Sequence, residues 1–205
     1  MEAPATLLAD AAWVSARIGG AAKLYGCSRP EVLGTIWWYS LSSVLVAPSV
    51  ESLVRDGEPL DPSLDAVTID LVPDGRFTGA RSSRVLRGGL AELGAAFAGT
   101  LGTAIGTIAA VTGANPRALG AIATDSIGNR LLWTGDTDRA VALAGPLVAA
   151  IGLGMPEPRF SRVGRNTVVR RASCCLIYEA GNPKCTSCPR QTPEERDRRL
   201  RAALG

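Results

Sequence analysis

The chain contains no histidine, and aromatic residues make up only 5% of its 205 residues. Without histidine the commonest general base is missing, so hydrolysis by a Ser-His or Cys-His arrangement is excluded. The same absence excludes Rieske-type clusters and any haem or zinc ion held by imidazole. What the chain does contain is five cysteines, four of them within residues 172–190.

Positive charge is concentrated at one end of the chain. Of a net charge of +3, residues 159–205 contribute +7, from eleven Lys or Arg and four Asp or Glu, and the rest contributes −4. The basic end also holds the four clustered cysteines. This asymmetry favours an anionic partner or cofactor near the C-terminus, with an ordinary solvated surface as the alternative.

The first residues do not show the pattern of an export signal. Glu2 and Asp10 stand where a secretory signal has basic residues, and no compact apolar segment with a cleavage site follows. We therefore expect a protein that is not exported.

One uncharged run is long enough to cross a bilayer. Residues 93–114 consist mostly of Ala, Gly and Thr, with few of the Leu, Ile and Phe residues that favour insertion. We therefore expect a small-residue helix packed within a helical domain rather than a membrane span. Peripheral membrane contact stays open.

The hydrophobic pattern predicts a mainly helical chain. Ser28, Asn115 and Asp136 are suited to cap three of the helices. We expect Pro48 to interrupt the second helix, because proline removes a backbone donor. The predicted helices span 4–18, 29–55, 86–112, 116–133 and 137–153, with a short charged helix capped by Thr192 near the C-terminus.

A small β component accompanies the helices. Residues 66–72 alternate in the manner of a strand, and Pro-Asp-Gly at 73–75 is a turn signal, so a β-hairpin is predicted there. After residue 155 the sequence becomes β-branched and basic, and then rich in Pro, Gly and Cys. We predict an α+β fold that is mainly α, with a helical scaffold domain at 1–155 and a cysteine-rich segment at 156–205.

The four clustered cysteines are spaced like ligands of one metal centre. Cys174 and Cys175 are adjacent, nine residues follow, and Cys185 and Cys188 form a C-x-x-C pair. Gly, Asn and Pro in the intervening loop allow the chain to reverse and bring the two pairs together. Two residues between thiolates let both sulfurs turn toward one centre.

Three kinds of site fit four thiols. Disulfides are disfavoured, because no export signal is visible and adjacent cysteines pair with each other only under strain. A structural zinc ion takes four thiolates, although zinc sites usually pair two separated cysteines at each end. A 2Fe-2S cluster needs two thiolates for each iron, and adjacent cysteines with diverging side chains favour such a larger centre.

The cysteine segment resembles the C-terminal signature of the ferric-siderophore reductase family called FhuF. Members of that family bind a 2Fe-2S cluster through four cysteines, whose counterparts here are Cys174, Cys175, Cys185 and Cys188. The middle gap, nine residues here, is one residue shorter than in the family pattern. The surrounding residues that are also similar are Arg171, Ser173, Leu176, Tyr178 and Pro189.

The resemblance implies a cytoplasmic 2Fe-2S oxidoreductase that reduces Fe(III) in an imported siderophore to Fe(II). Hard oxygen donors hold Fe(III) more tightly than Fe(II), so one electron loosens the complex. It also implies that the helical domain binds the siderophore. No Gly-rich stretch follows a strand in the nucleotide-binding arrangement, so we expect a separate electron donor of the ferredoxin or flavin-reductase type. We expect no nucleic acid as a partner of the reductase.

Six further residues are candidates for contact with the substrate or the electron donor: Arg170, Arg171, Lys184, Trp37, Trp38 and Arg130. The three cations next to the cysteines would stabilise the reduced cluster, raise its potential and attract an acidic donor or an anionic chelate. The alternative for the two tryptophans is core packing, and the alternative for the arginine of the helical domain is an ion pair or a place on the helix surface.

Two other functions fit the same residues. One is a non-enzymatic binding protein, held together by a zinc ion on the four cysteines, whose basic tail binds an acidic partner or nucleic acid. The other is a general 2Fe-2S electron carrier or cluster-assembly factor. Colour distinguishes the zinc protein from the iron proteins, and oxidation that depends on a ferric chelate distinguishes the reductase from a carrier.

Overall fold

The computed structural model describes every residue from Met1 to Gly205. It is 57% helical, with six helices and two small antiparallel sheets, which confirms the predicted mainly helical α+β fold. The helices are α1 (Ala11–Tyr25), α2 (Pro30–Arg55), α3 (Leu90–Thr112), α4 (Pro116–Leu132), α5 (Thr137–Ile151) and α6 (Pro193–Leu204).

Helix α2 begins and continues differently from the prediction. Its N-cap is Arg29, without a side-chain hydrogen bond, and Pro30 lies in the first turn, so the prediction of Ser28 as the cap is wrong. The predicted interruption at Pro48 is also wrong, because the helix runs through this residue. Val46 and Val50, on either side of the proline, are fully buried. Packing of the helix therefore outweighs the loss of one backbone hydrogen bond.

The caps predicted for three other helices are confirmed. The side chain of Asn115 accepts from Arg117 N at the start of α4. Asp136 caps α5 by accepting from Arg139 N, and Thr192 caps α6 by accepting from Glu195 N. These side chains satisfy backbone N–H groups that the first turn of a helix leaves without a partner.

The first sheet has three strands instead of the predicted hairpin alone. Strands β2 (Val67–Leu71) and β3 (Phe77–Ser82) form the predicted hairpin, and β1 (Glu2–Pro4) pairs with β2 in antiparallel fashion. The N-terminal helix predicted at 4–18 is replaced by this strand, a 3-10 helix at Ala5–Ala9 and then α1.

One apolar core holds the helices together. Its 35 buried residues all lie between Ala3 and Ile151, and half-buried Phe160 of the C-terminal segment packs against it. Helices α3 and α5 approach each other closely at Gly94, where an added Cβ would lie 2.5 Å from the backbone carbon of Ala150. A glycine is therefore required at this crossing.

Helix α3 is long and apolar enough to cross a membrane by length and composition. In its most apolar window, 39% of the residues are buried inside the structure. The buried residues belong to the common core and include Phe97, Leu101 and Ile108. The predicted small-residue helix is thus found at this place, with one face packed against the other helices.

The cysteine segment packs against helices α4 and α2. It begins with a second sheet, the hairpin of β4 (Phe160–Val163) and β5 (Asn166–Val169). An added Cβ at Gly128 of α4 would lie 3.0 Å from Val169 of β5, so the hairpin lies directly on the helix. An ion pair between Arg29 and Glu179 joins the start of α2 to the 3-10 helix Ile177–Ala180.

Candidate metal centre

Four cysteine side chains meet in the C-terminal segment. The Sγ atoms of Cys174 and Cys188 lie 3.6 Å apart, and the thiols of Cys174 and Cys185 lie near enough to Cys175 to change its pKa. Cys174, Cys175 and Cys188 are buried, whereas Cys185 is half-buried. Each cysteine of the adjacent pair is thus a neighbour of one cysteine of the C-x-x-C pair, and no three of the thiols are close enough together to hold a single metal ion. The fifth cysteine, Cys27, packs against the helical core.

Two tight turns direct the thiols toward each other. Leu176 has a φ of 62°, a left-handed conformation that is uncommon for a residue with a side chain, and it reverses the chain directly after the adjacent cysteines. Its N–H group donates to Cys174 Sγ at 3.4 Å. In the C-x-x-C pair, Cys188 N donates to Cys185 O at 3.0 Å. Strained backbone of this kind persists where the surrounding structure enforces it, often at functional sites.

The thiols differ in how readily they lose a proton. Interaction with the thiols of Cys174 and Cys185 lowers the pKa of Cys175. The same interaction, together with burial, raises the pKa values of Cys174 and Cys185. Loss of a proton is therefore easiest at Cys175. Thiolate is the form that binds metal.

A buried guanidinium group lies beside the cysteines. The side chains of Arg171 and Asp125 are each 2% exposed, and Arg171 Nε lies 3.6 Å from Asp125 Oδ2. Arg171 Nη1 donates to Cys185 Sγ at 3.4 Å, and the group lies 4.7 Å from the ring centroid of Tyr39. Burial lowers the pKa of Arg171, but Tyr39, Cys175 and Asp125 raise it by more, so the side chain stays charged.

Asp125 of helix α4 fixes the backbone that leads into the cysteines. Its carboxylate accepts from Ala172 N at 2.8 Å and from Ser173 N at 3.3 Å. Burial raises the pKa of Asp125 to about 6, while the Ala172 N–H and the charge of Arg171 oppose the shift, so the carboxylate is mostly ionised at neutral pH. Asp125 was not among the site residues predicted from the sequence. The pattern that could have indicated it is a single acidic residue among the small and apolar residues of a helix.

The residues fit a 2Fe-2S cluster. Four thiols at one place supply two thiolates for each of two irons. Arg171 Nη2 is buried and has no hydrogen-bond partner in the protein. Because buried donors are normally paired, this free donor beside the thiols fits a group that brings further acceptors, as the sulfides of a cluster do.

Exposed cations flank the cysteines in the sequence. Arg170, Lys184 and Arg190 are exposed, and Lys184 Nζ donates to the backbone oxygen of Arg190 at 3.0 Å. Arg170 and Arg171 thus have opposite surroundings although they are neighbours in the chain. Arg171 is buried next to Cys185, so it is not a surface contact for a donor or a chelate. Arg170 and Lys184 remain available on the surface.

The three candidates in the helical domain lie apart from the cysteines. Trp37 and Trp38 are 3% and 0% exposed and belong to the core, so the structure does not place them where a chelate could touch them. Trp38 Nε1 donates to Leu119 O, which satisfies its only polar group. Arg130 is half-buried and forms an ion pair with Glu51 at 3.1 Å. The two tryptophans are thus packed in the core, and the arginine is held in an ion pair.

Comparison with known families supports the iron-sulfur interpretation of this segment. Residues 171–190 match the family described as the FhuF 2Fe-2S C-terminal domain. The match confirms, for these residues, the resemblance seen in the cysteine pattern, and it supports a 2Fe-2S cluster as the cofactor. The comparisons with curated proteins and with solved structures each returned no match.

Proposed function

We propose that this protein is a cytoplasmic ferric-siderophore reductase, which converts Fe(III) in a siderophore to Fe(II) by one-electron transfer. The observation that carries the proposal is the meeting of four thiols beside the buried cation of Arg171, in a segment that matches a 2Fe-2S domain of the FhuF family. The match supports a FhuF-like iron-sulfur protein related to siderophores.

The residues of the chain have separate roles in this function. The cluster, when bound, supplies one-electron transfer, so that one electron taken from a separate donor converts one Fe(III) in the chelate to Fe(II). Cys174, Cys175, Cys185 and Cys188 hold it. Arg171 places a positive charge and a hydrogen bond at Cys185, which favours the more negative reduced state. Asp125 holds Arg171 and the backbone before Cys174 in position.

The electron donor is a separate protein in this proposal. The Gly-rich stretch of residues 99–106 lies inside helix α3 and not between a strand and a helix, so it lacks the nucleotide-binding arrangement. The exposed cations Arg170 and Lys184 flank the cysteines in the sequence, and Lys184 directly precedes the half-buried Cys185. A positive surface attracts an acidic partner, which fits a donor of the ferredoxin or flavin-reductase type.

Chelate-dependent oxidation tests the proposal. The anaerobically purified protein is reduced by dithionite, freed of excess reductant and mixed with a ferric hydroxamate siderophore in the presence of a chromogenic chelator specific for Fe(II). We expect the visible bands of the oxidised cluster to return while one Fe(II) forms for each chain. A reduced protein that stays reduced with every ferric siderophore, but passes its electron to cytochrome c, would be a general electron carrier.

A further inference from the structure

We propose that a cleft beside Cys174 receives an anionic, oxygen-rich edge of the ferric chelate; this inference rests on the proposed reductase function. The cleft has a volume of about 310 Å³, and its walls include Glu31 and Thr35 of α2, Ala118 of α4, and Cys174, Leu176 and Arg190 of the cysteine segment. It is thus a place where a small molecule touches a cluster ligand.

The cleft lies where three parts of the chain meet. Glu31 and Thr35 belong to the first turns of α2, and Ala118 belongs to the first turn of α4. The third wall is the loop that carries Cys174, where the left-handed backbone of Leu176 turns the chain away directly after the cysteines. A ligand in the cleft would therefore touch Cys174, one of the residues proposed to hold the cluster.

The cleft wall holds one cation that no carboxylate pairs with. Arg190 is exposed, and none of the ion pairs of the structure involves it. The carboxylate of the cleft, Glu31, lies 3.4 Å from Arg29, which also pairs with Glu179. The guanidinium of Arg190 is therefore the group beside Cys174 that can bind the oxygen donors of a catecholate, hydroxamate or carboxylate chelate.

The size of the cleft limits what enters it. A volume of about 310 Å³ is at the lower end for small-molecule sites, which enclose roughly 300–1,000 Å³. The cleft therefore accepts one bidentate arm or one edge of the chelate, and the remainder of a larger siderophore stays in solvent. Exposure and charge of the Fe–O edge, rather than the outer scaffold of the siderophore, would then decide which chelates react.

Binding of a redox-inert chelate tests the cleft separately from electron transfer. The probe is the gallium(III) tris-catecholate complex, titrated calorimetrically into the cluster-loaded protein. We expect Ala118→Trp, which fills the cleft, and Arg190→Glu, which replaces an attraction by a repulsion, each to weaken binding by roughly tenfold. Arg165→Glu, an equal charge change in the exposed turn between β4 and β5, is the matched control and should leave binding unchanged.

The outcomes separate the cleft from the reductase function. Absence of gallium chelate binding by the wild-type protein, or wild-type affinity in both cleft variants, overturns the cleft even if ferric chelates oxidise the reduced protein. Equal weakening by Arg165→Glu also overturns it, because net charge alone would then explain the effect. A wild-type protein that binds the gallium complex but never reduces the ferric form retains the cleft and loses the proposed function.

Discussion

Arg170 and Arg171 are adjacent in the chain and have unlike environments. The side chain of Arg171 is 2% exposed and lies between Asp125 and Cys185, whereas Arg170 is exposed. The sequence alone treats the two residues alike, because burial depends on the packing of the segment against α4. The four cysteines were predictable from their spacing, but Asp125 was not, because a lone acidic residue in a helix carries no local pattern.

Neutralising Arg171 should lower the midpoint potential of the cluster. Arg171→Gln removes a charged hydrogen bond to Cys185, and such bonds are worth about 1.5–3 kcal/mol. Because 59 mV corresponds to about 1.4 kcal/mol for one electron, the expected decrease is roughly 60–130 mV by spectroelectrochemical titration. Arg170→Gln is the matched control and should change the potential little. Equal shifts in the two variants would show that the buried position of Arg171 beside Cys185 does not determine the midpoint potential.

Neutralising Asp125 should have the opposite effect on the potential. Asp125→Asn removes a buried negative charge 3.6 Å from Arg171 Nε, so the reduced cluster is stabilised and the midpoint potential rises. The double variant Asp125→Asn/Arg171→Gln avoids a buried unpaired charge, whose cost is about 3–5 kcal/mol. We expect it to be more stable than Arg171→Gln in urea unfolding. A decrease of the potential in Asp125→Asn would contradict this account of the pair.

At the scale of elements, local sequence signals predicted the helices, whereas features that depend on distant parts of the chain were missed. The helix content and most caps were predictable, because apolar periodicity and cap residues are local signals. Strand β1 was not, since its partner β2 lies more than sixty residues away. Pro48 was misjudged for a related reason: the burial of its neighbours is a property of the folded molecule.

Two glycines of α3 should respond in opposite ways to substitution by alanine. Gly94→Ala places a Cβ within 2.5 Å of the Ala150 backbone, and overpacking of this kind costs about 1–3 kcal/mol. Gly106 is exposed and has no atom within 4 Å of an added Cβ, so Gly106→Ala should stabilise the helix by about 0.5–1 kcal/mol. Urea unfolding followed by circular dichroism measures both changes. Destabilisation by Gly106→Ala as large as that by Gly94→Ala would argue against the α3–α5 crossing.

At the scale of the whole molecule, the core and the metal centre belong to different parts of the chain. The buried residues of the helical core end at Ile151, with Phe160 packed against them. The segment of residues 171–190 has the thiols, an ion pair with α4 and an ion pair with α2. The boundary predicted near residue 155 stays a prediction about independent stability. The physical expectation is that the cluster stabilises the segment, as bound metals generally do for small sites.

Loss of the cluster should loosen the cysteine segment and leave the helical domain folded. Cys188→Ser removes one ligand, so we expect the visible absorption to disappear while the far-ultraviolet dichroism of the helices is retained. Hydrogen exchange should accelerate in residues 171–190 and stay slow in α2 and α4. Fast exchange throughout the chain would show that the cluster is required for the whole fold.

The visible spectrum of the anaerobically purified protein, recorded with its iron and sulfide content and again after reduction and addition of a ferric siderophore, tests the central claim most directly. We predict two irons and two sulfides for each chain, the bands of an oxidised 2Fe-2S cluster, bleaching on reduction and recovery only when the ferric siderophore is added. A colourless protein with one zinc ion for each chain, after expression with ample iron, would contradict the account.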